Sequence, residues 1–322
     1  MKINVGILGG AKIAEKSIIP SLAAHDSFEI VALASSSKSE YMANKYDFPV
    51  YSDYHDILSL EEVDIIYIAL PTSMHFELAW KAIEFGKSVW CEKSLVENYQ
   101  DAISLVNFAE KNSKFIFESF QFRFHSQIQW IADTIQNKKL GEIRLFRSFF
   151  GFPPFEDAKN IRYQKSLGGG ALLDAGAYTI KAATVLLGCD LQVLTSSMHF
   201  SEMHEVDIYG AAQLKSGSGD IDIQVSYGFD NFYQNGVELW CSEGKLFTNR
   251  LFTAPSDLSP CVEITLKDGL HIHETQRDDH FRNMLNHIAR LHCDESIHRD
   301  EHLEILTQSR IINDIRIMSN GR

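Results

Sequence analysis

The sequence is short of cysteine and of basic charge, and it lacks long apolar runs. Cysteine occurs five times in 322 residues, at Cys91, Cys189, Cys241, Cys261 and Cys293, an odd number at wide spacings with no CxxC pair. That is the pattern of buried, reduced thiols in a cytoplasmic protein, not of a disulfide framework. Lys and Arg number 30 against 43 Asp and Glu, a formal net charge of -13. A nucleic-acid backbone repels such a surface on average, which excludes a general DNA or RNA binder and leaves room for a local anion site. No uninterrupted apolar stretch reaches the roughly 18 residues of a membrane span. The opening MKIN enters a strand-like run with no signal-peptide core, so a soluble, cytoplasmic, non-membrane protein is expected. Internal repeats and low-complexity tracts are also missing.

Apolar residues make up 45% of the chain, enough for a sizeable core in two ordinary domains or one large one. Over the first 120 residues two patterns alternate. Apolar, β-rich runs fall at 3–8, 28–34, 64–70, 88–92 and 115–119, and helical patterns fall at 11–24, 39–46, 75–86 and 98–112. In HFELAWKAIEFG, Phe76, Ala79, Trp80 and Ile83 share one helix face, and Gly86 supplies a stop. Apolar strands separated by amphipathic helices predict a doubly wound parallel sheet of the Rossmann type. Ligands in such sheets lie at the carboxyl ends of the strands, here 9–13, 35–38, 70–75 and 92–95. Beyond about residue 121 the pattern becomes helix, long strand, helix, a run of strands, then two closing helices. We expect a dinucleotide-binding domain over 1–121. Over 122–322 we expect an α+β domain for substrate binding and oligomerisation, with a largely antiparallel open sheet.

The stretch VGILGGAKIAEKSIIP (5–20) breaks an apolar run at a glycine pair and then turns helical. Such a turn aims backbone N–H groups and the positive end of a helix at whatever lies above, and a pyrophosphate fits there. The three small positions of a dinucleotide fingerprint read Gly9, Ala11 and Ala14. Ala11 adds a methyl in the phosphate path, so a bare strand-turn-helix without ligand stays open. At the end of the second strand, Ser35, Ser36, Ser37 and Lys38 stand where an NAD site usually has a carboxylate. Hydroxyls and a lysine suit a 2′-phosphate, which favours NADP over NAD.

Two stretches can carry chemistry. WCEKSL places Glu92 and Lys93 at a strand end, where a lysine can hydrogen-bond or protonate a substrate oxygen. An exposed Glu–Lys pair is the alternative. In LGGGALLDAGAY, Asp174 and Tyr178 lie four apart on one helix face behind Gly168, Gly169 and Gly170. The tyrosine can protonate an alkoxide, the aspartate can orient substrate hydroxyls, and the glycines can admit a ligand close to the backbone. A core helix with Tyr178 filling space is the alternative. His271 and His273 form HxH on a strand, but no third ligand is nearby, so no metal is expected.

These residues together resemble the glucose–fructose oxidoreductase / inositol dehydrogenase (Gfo/Idh/MocA) family over nearly the whole chain. VGILGGAKIA is similar to its entry fingerprint, in which alanine at the middle position is a familiar variant. IALPTSMHFELAWKAIEFGKSVWCEKSL, ESFQFRFH and GGGALLDAGAY resemble its later motifs, in order. The resemblance implies that Lys93 is the catalytic lysine, Asp174 the substrate-site aspartate, and Tyr178 the residue at a His/Tyr position. It also implies cofactor contacts at Gly9, Ala11, Lys12, Ile13, Ser35, Ser36, Lys38, Pro71, His75 and Glu92. Ser94 departs from the pattern, since the family usually has proline there, which stiffens the lysine loop. FFGFPPFEDAKNIRYQKSLGGG looks like the sugar 3-ketoreductases of nucleotide-linked deoxysugars. Arg123, Arg162 and Tyr163 then become candidate contacts to a sugar or its diphosphate.

The expected function is hydride transfer between NADPH and a sugar carbonyl, with Tyr178 and Lys93 moving the proton. A dihydrodiol or free aldose/polyol dehydrogenase is the alternative within the family. A non-catalytic NADP-binding regulator is the alternative from another class. Apolar alternation in VDIYGAAQL, DIDIQVSYGF and VELW leaves one sheet face for another subunit, so a homodimer or homotetramer is expected.

Overall fold

In the computed structural model, which describes residues 2–320, β1 (Ile3–Leu8) is apolar and buried except at Asn4, because both of its faces are covered. A π-helical segment, Ala14–Ile18, follows and continues as α1 (Ile19–Ala23). Then come β2 (Phe28–Ala34), α2 (Ser39–Lys45), β3 (Val50–Tyr51), α3 (Tyr54–Leu58), β4 (Ile65–Ile68), α4 (His75–Glu84), β5 (Ser88–Glu92), α5 (Tyr99–Lys111) and β6 (Ile116–Ser119). The six strands form one parallel sheet in the order β3-β2-β1-β4-β5-β6, the dinucleotide-binding order expected of right-handed crossovers.

The face that α4 buries is rotated by about one residue from the expected one. Leu78, Ala79, Ala82 and Ile83 are buried, whereas Phe76 and Trp80 sit at its border. There the Trp80 ring stacks on Phe108 of α5, with centroids 4.0 Å apart and planes 3° from parallel. α5 begins where the Asn98 side chain accepts from the Asp101 amide, closing the helix start.

The chain leaves this unit after Ser119 and re-enters it at Phe281–Leu306. That segment was expected in the second domain. Its side chains explain the return. His302 is 2% exposed, and its Nε2 accepts from the Ile116 amide at 3.3 Å. The rings of His287 and His298 lie against Phe117 and Phe115, and His25 meets Asn286 at 3.1 Å. The segment thus covers the otherwise open edge of β6.

The second unit comprises Phe120–His280 and the residues from Thr307 onward. It holds α6 (Ser126–Gln136), β7 (Ile143–Gly151), a π-helical segment Leu172–Gly176 that continues as α7 (Ala177–Leu187), and seven further strands. These are β8 (Leu191–Phe200), β9 (Asp207–Ser216), β10 (Asp222–Gly228), β11 (Gln234–Cys241), β12 (Lys245–Thr248), β13 (Cys261–Leu266) and β14 (Gly269–Glu274). α8 (His280–Cys293) and α9 (His298–Asn320) close the chain. The eight-stranded sheet runs β14-β13-β12-β11-β7-β10-β9-β8, antiparallel except for the β7–β10 pair.

One face of this sheet packs into a core with α7. The stretch Lys165–Leu187 has the length and mean hydropathy of a membrane span, but 78% of its apolar window is buried as a core helix. The opposite face is open. It carries Arg147, Phe149, Tyr209, Gln213, Gln224 and Trp240 at the alternating positions that the core does not use. The expectation of buried thiols holds for Cys91 and Cys241; Cys261 and Cys293, the first residue of β13 and the last of α8, are exposed.

Candidate active site

The glycine turn sits at the carboxyl end of β1, where the strand order reverses between β1 and β4. Gly9 has φ +104°, and a Cβ there would stand 2.2 Å from the Ala69 carbonyl oxygen. Only glycine passes β4 at that distance. Ala14 is fully buried, whereas Ala11, Lys12 and Ile13 lie at the surface beside the helix's first N–H groups, which no carbonyl of their own helix can satisfy. This exposed small-residue turn fits a pyrophosphate.

At the end of β2 the expected residues divide. Ser35 is buried, and its hydroxyl accepts from the Lys38 amide at 3.2 Å, shaping the turn. Ser36 is exposed and bonds Tyr54 through its hydroxyl at 3.1 Å. Lys38 reaches over the glycine turn, donating to the Gly10 carbonyl at 2.8 Å and pairing with Glu15 at 3.3 Å. Glu15 also meets Lys45 at 2.7 Å, and Lys45 first, then Lys38, holds its carboxyl below the ordinary range. Glu15 and Lys45 were not singled out in the sequence: Glu15 follows the last small position of the fingerprint and Lys45 ends α2, and only the fold brings them together.

The ends of β4 and β5 carry the Lys93 loop. Pro71 and Lys93 are half-buried, and the Lys93–Ser94 peptide is cis. His75, 1% exposed, is clasped between two backbone carbonyls, Ser94 at 2.9 Å from Nδ1 and Leu70 at 2.8 Å from Nε2. Its ring thus ties one loop to the other, and burial pushes its pKa down. Glu92 accepts from the Tyr67 hydroxyl at 2.8 Å, and burial raises its pKa to about 6 against the pull of Tyr67 and Lys93. A carboxyl poised near neutrality beside a lysine can buffer proton movement.

In the second unit, residues 171–184 are all buried except Asp174 and Tyr178, which open together on one face. The Tyr178 ring is boxed by Phe120 and Phe150 at 5.4 Å, Phe252 at 5.6 Å and Phe122 at 5.8 Å. This box was not foreseen, although FESFQFRF supplies two of its rings. Arg162 donates from Nε to Asp174 Oδ2 at 2.5 Å and lies over the Phe155 ring at 5.0 Å. Asp174 in turn raises the guanidinium pKa. The Tyr163 side chain is buried, its hydroxyl accepting from the Phe155 amide at 3.0 Å while its ring stacks on His204. Arg123 is half-buried on a 3-10 turn, its guanidinium over Phe124.

Gly169 and Gly170 serve the protein's own packing. A Cβ at Gly169 would meet the Arg162 carbonyl oxygen at 2.5 Å, and one at Gly170 would meet Asp207 Oδ1 at 2.3 Å. His271 pairs with Asp268 at 2.9 Å, and His273 stacks on Trp130.

Residues 3–120 match the oxidoreductase family with an NAD-binding Rossmann fold, and residues 128–247 match the GFO/IDH/MocA C-terminal domain. The chain is 33% identical to a dTDP-3,4-didehydro-2,6-dideoxy-α-D-glucose 3-reductase from Saccharopolyspora spinosa, over 89% of this chain and 87% of that one. It is 31% identical to the enzyme of the same description from Actinomadura kijaniata, over 98% and 95% of the two chains. The crystal structure of KijD10, a 3-ketoreductase from Actinomadura kijaniata in complex with NADP and TDP-benzene, superposes with a TM-score of 0.94 at 30% identity, over 99% of this chain and 98% of that one. The motif order read from the sequence, the reversed strand order at the glycine turn and these matches agree: the chain belongs to the Gfo/Idh/MocA family of oxidoreductases.

Proposed function

We propose that the chain is an NADPH-dependent reductase of a keto group on a nucleotide-linked sugar, acting in the cytoplasm. The observation that carries the reading is the paired opening of Asp174 and Tyr178 on an otherwise buried helical face. A bound nicotinamide would supply the hydride. Tyr178 donates the proton to the carbonyl oxygen, and its aromatic box keeps water from competing for that phenol. Lys93 assists as a cation that favours the developing alkoxide, with Glu92 behind it. Asp174, held by Arg162, orients a sugar hydroxyl, and Arg162 keeps further donors for a diphosphate. Gly9, Ala11, Lys12 and Ile13 cradle the pyrophosphate, while Ser36 and Lys38 receive the 2′-phosphate. Lys38 leaves its contacts with Gly10 and Glu15 to do so. Pro71 and His75 shape the nicotinamide side. The relatives named as nucleotide-sugar reductases support the substrate class.

Nicotinamide fluorescence on titration with NADPH and NADH is the first test, with NADPH expected to bind the more tightly. Turnover of a dTDP-linked 3-keto-deoxysugar follows. Lys93→Met and Tyr178→Phe should each lose about 10²–10⁴-fold in kcat with NADPH binding retained. Equal affinity for the two cofactors, or wild-type turnover in both variants, refutes the proposal.

The open sheet face supports a homo-oligomer. Phe149, Tyr209 and Trp240 lie on it among Arg147, Gln213 and Gln224, a mixture of apolar and polar groups that can match itself about a twofold axis.

A further inference from the structure

The helical stretch that carries Asp174 and Tyr178 has no side-chain cap of its own. Ala171 stands at its N-cap and makes no such bond. The first N–H groups of a helix need acceptors, and when none is local one must come from elsewhere. Here it comes from 35 residues downstream. Asp207, at the first position of β9, is 6% exposed, and its Oδ2 accepts from the Leu172 amide at 2.6 Å. The Ala171 amide lies alongside and favours the charged carboxylate as well. The approach depends on Gly170, whose φ is +118° and where a Cβ would stand 2.3 Å from Asp207 Oδ1. A negative group at this point also faces the positive end of the helix.

We infer that Asp207 is a positioning residue for the Asp174–Tyr178 pair: from β9 it pins the turn that launches their helix and so fixes where both functional groups point. Asp207 touches neither substrate nor cofactor; it acts through its bond to the Leu172 amide, with the Ala171 amide alongside. The groups facing it are those two amides, Tyr227 of β10, whose hydroxyl pKa is raised by burial and by the Asp207 charge, and Arg316 of α9. Burial raises the Asp207 pKa to about 6 against the pull of the amides and Arg316. The pin is therefore ionised at pH 7.5 and weakens as the carboxyl takes up a proton.

The inference rests on the reductase reading for its kinetic arm and not for its structural arm. Hydrogen exchange of the full chain tests the structural arm without any substrate. Asp207→Ala should speed exchange across 170–178 by about tenfold or more while β1 and β12 keep wild-type protection. Wild-type exchange across 170–178 overturns the inference. In the kinetic arm, NADPH and a dTDP-linked 3-keto-deoxysugar are the probes. Asp207→Ala should lower kcat about tenfold or more with NADPH affinity unchanged, because a small misplacement of the reacting groups suffices for that. A kcat within twofold of wild type overturns it.

If Asp207→Ala does not fold, Asp207→Asn decides. The asparagine keeps the size and one acceptor but not the charge, so it imitates the protonated residue. The ratio of wild-type to Asn-variant kcat should be several-fold at pH 7.5 and approach one below pH about 6, with any limb from Glu92 cancelling in the ratio. A ratio that does not change with pH overturns the inference. If the wild-type chain fails to reduce the probe, the reductase reading falls, and the exchange measurement still judges Asp207.

Discussion

Replacing His75 by alanine tests whether the Lys93 loop is built or merely present. The imidazole lies between two backbone carbonyls, the half-buried Leu70 at 2.8 Å and the buried Ser94 at 2.9 Å, one just past the end of β4 and one beside Lys93. The neutral ring has one N–H to give, so alanine leaves one of the two carbonyls without its donor and opens a void where the ring stood. An unsatisfied buried acceptor costs about 1–3 kcal/mol, so the one bond the neutral ring can donate sets an expected loss of about 1–3 kcal/mol. That is a large share of the stability of an ordinary domain, about 5–15 kcal/mol. His75→Gln, which can still donate to one carbonyl, should recover part of the loss. Urea unfolding is the assay, followed by tryptophan fluorescence, because Trp80 and Trp90 report on the same unit as His75. A variant that remains folded should also lose turnover more than NADPH affinity, since the loop it loosens holds the lysine. A His75→Ala midpoint corresponding to less than about 0.5 kcal/mol, the range of neutral surface changes, refutes the clasp.

Acid sensitivity and assembly give two further predictions. His280 has its pKa lowered from 6.5 to about 4, by burial first and then by His125. A depressed histidine leaves its full stability above pH 6.5 and loses it as pH falls towards 4, about 3 kcal/mol over that window. Glu92 and Asp207, both raised to about 6, act with the opposite sign and regain stability as pH falls through 6. His280→Gln should therefore flatten or reverse the loss in urea midpoint between pH 7.5 and pH 5, and an unchanged slope refutes the assignment. Trp240→Glu, on the open sheet face, should shift sedimentation towards monomer without lowering the thermal midpoint, and an unaltered sedimentation coefficient refutes that face as the contact.

The parallel sheet was legible because its strands are apolar throughout and its longer helices keep a clean period. β1, β2 and β5 fall where the sequence placed them. β3 and α3, with two and five residues, are too short to leave a period and went unseen. The rotated face of α4 has a physical cause: Phe76 and Trp80 are as apolar as core residues, but Phe108 holds Trp80 at the border and Phe76 packs on Trp80. At the site, the residue types and spacing of Asp174 and Tyr178 were readable, because a helix fixes who shares a face. Their supports were not. Asp207 and Arg162 reach them from separate segments, and only tertiary structure brings those acceptors and donors into place. The same holds for His75, readable as a motif position but not as a ring closed between two carbonyls. Gly169 and Gly170 mark a close approach correctly, yet the partner is the protein's own backbone and carboxylate.

The return of Phe281–Leu306 to the first unit bears on how the chain must be made. The edge of β6 waits for His302, so nearly the entire chain has to emerge from the ribosome before the nucleotide-binding half is finished. A gene fragment cut near residue 120, at the apparent seam between domains, would yield a sheet with a bare, apolar margin, apt to pair with its own copies. The half that begins first is completed last, and the chain cannot be divided there into two independent parts.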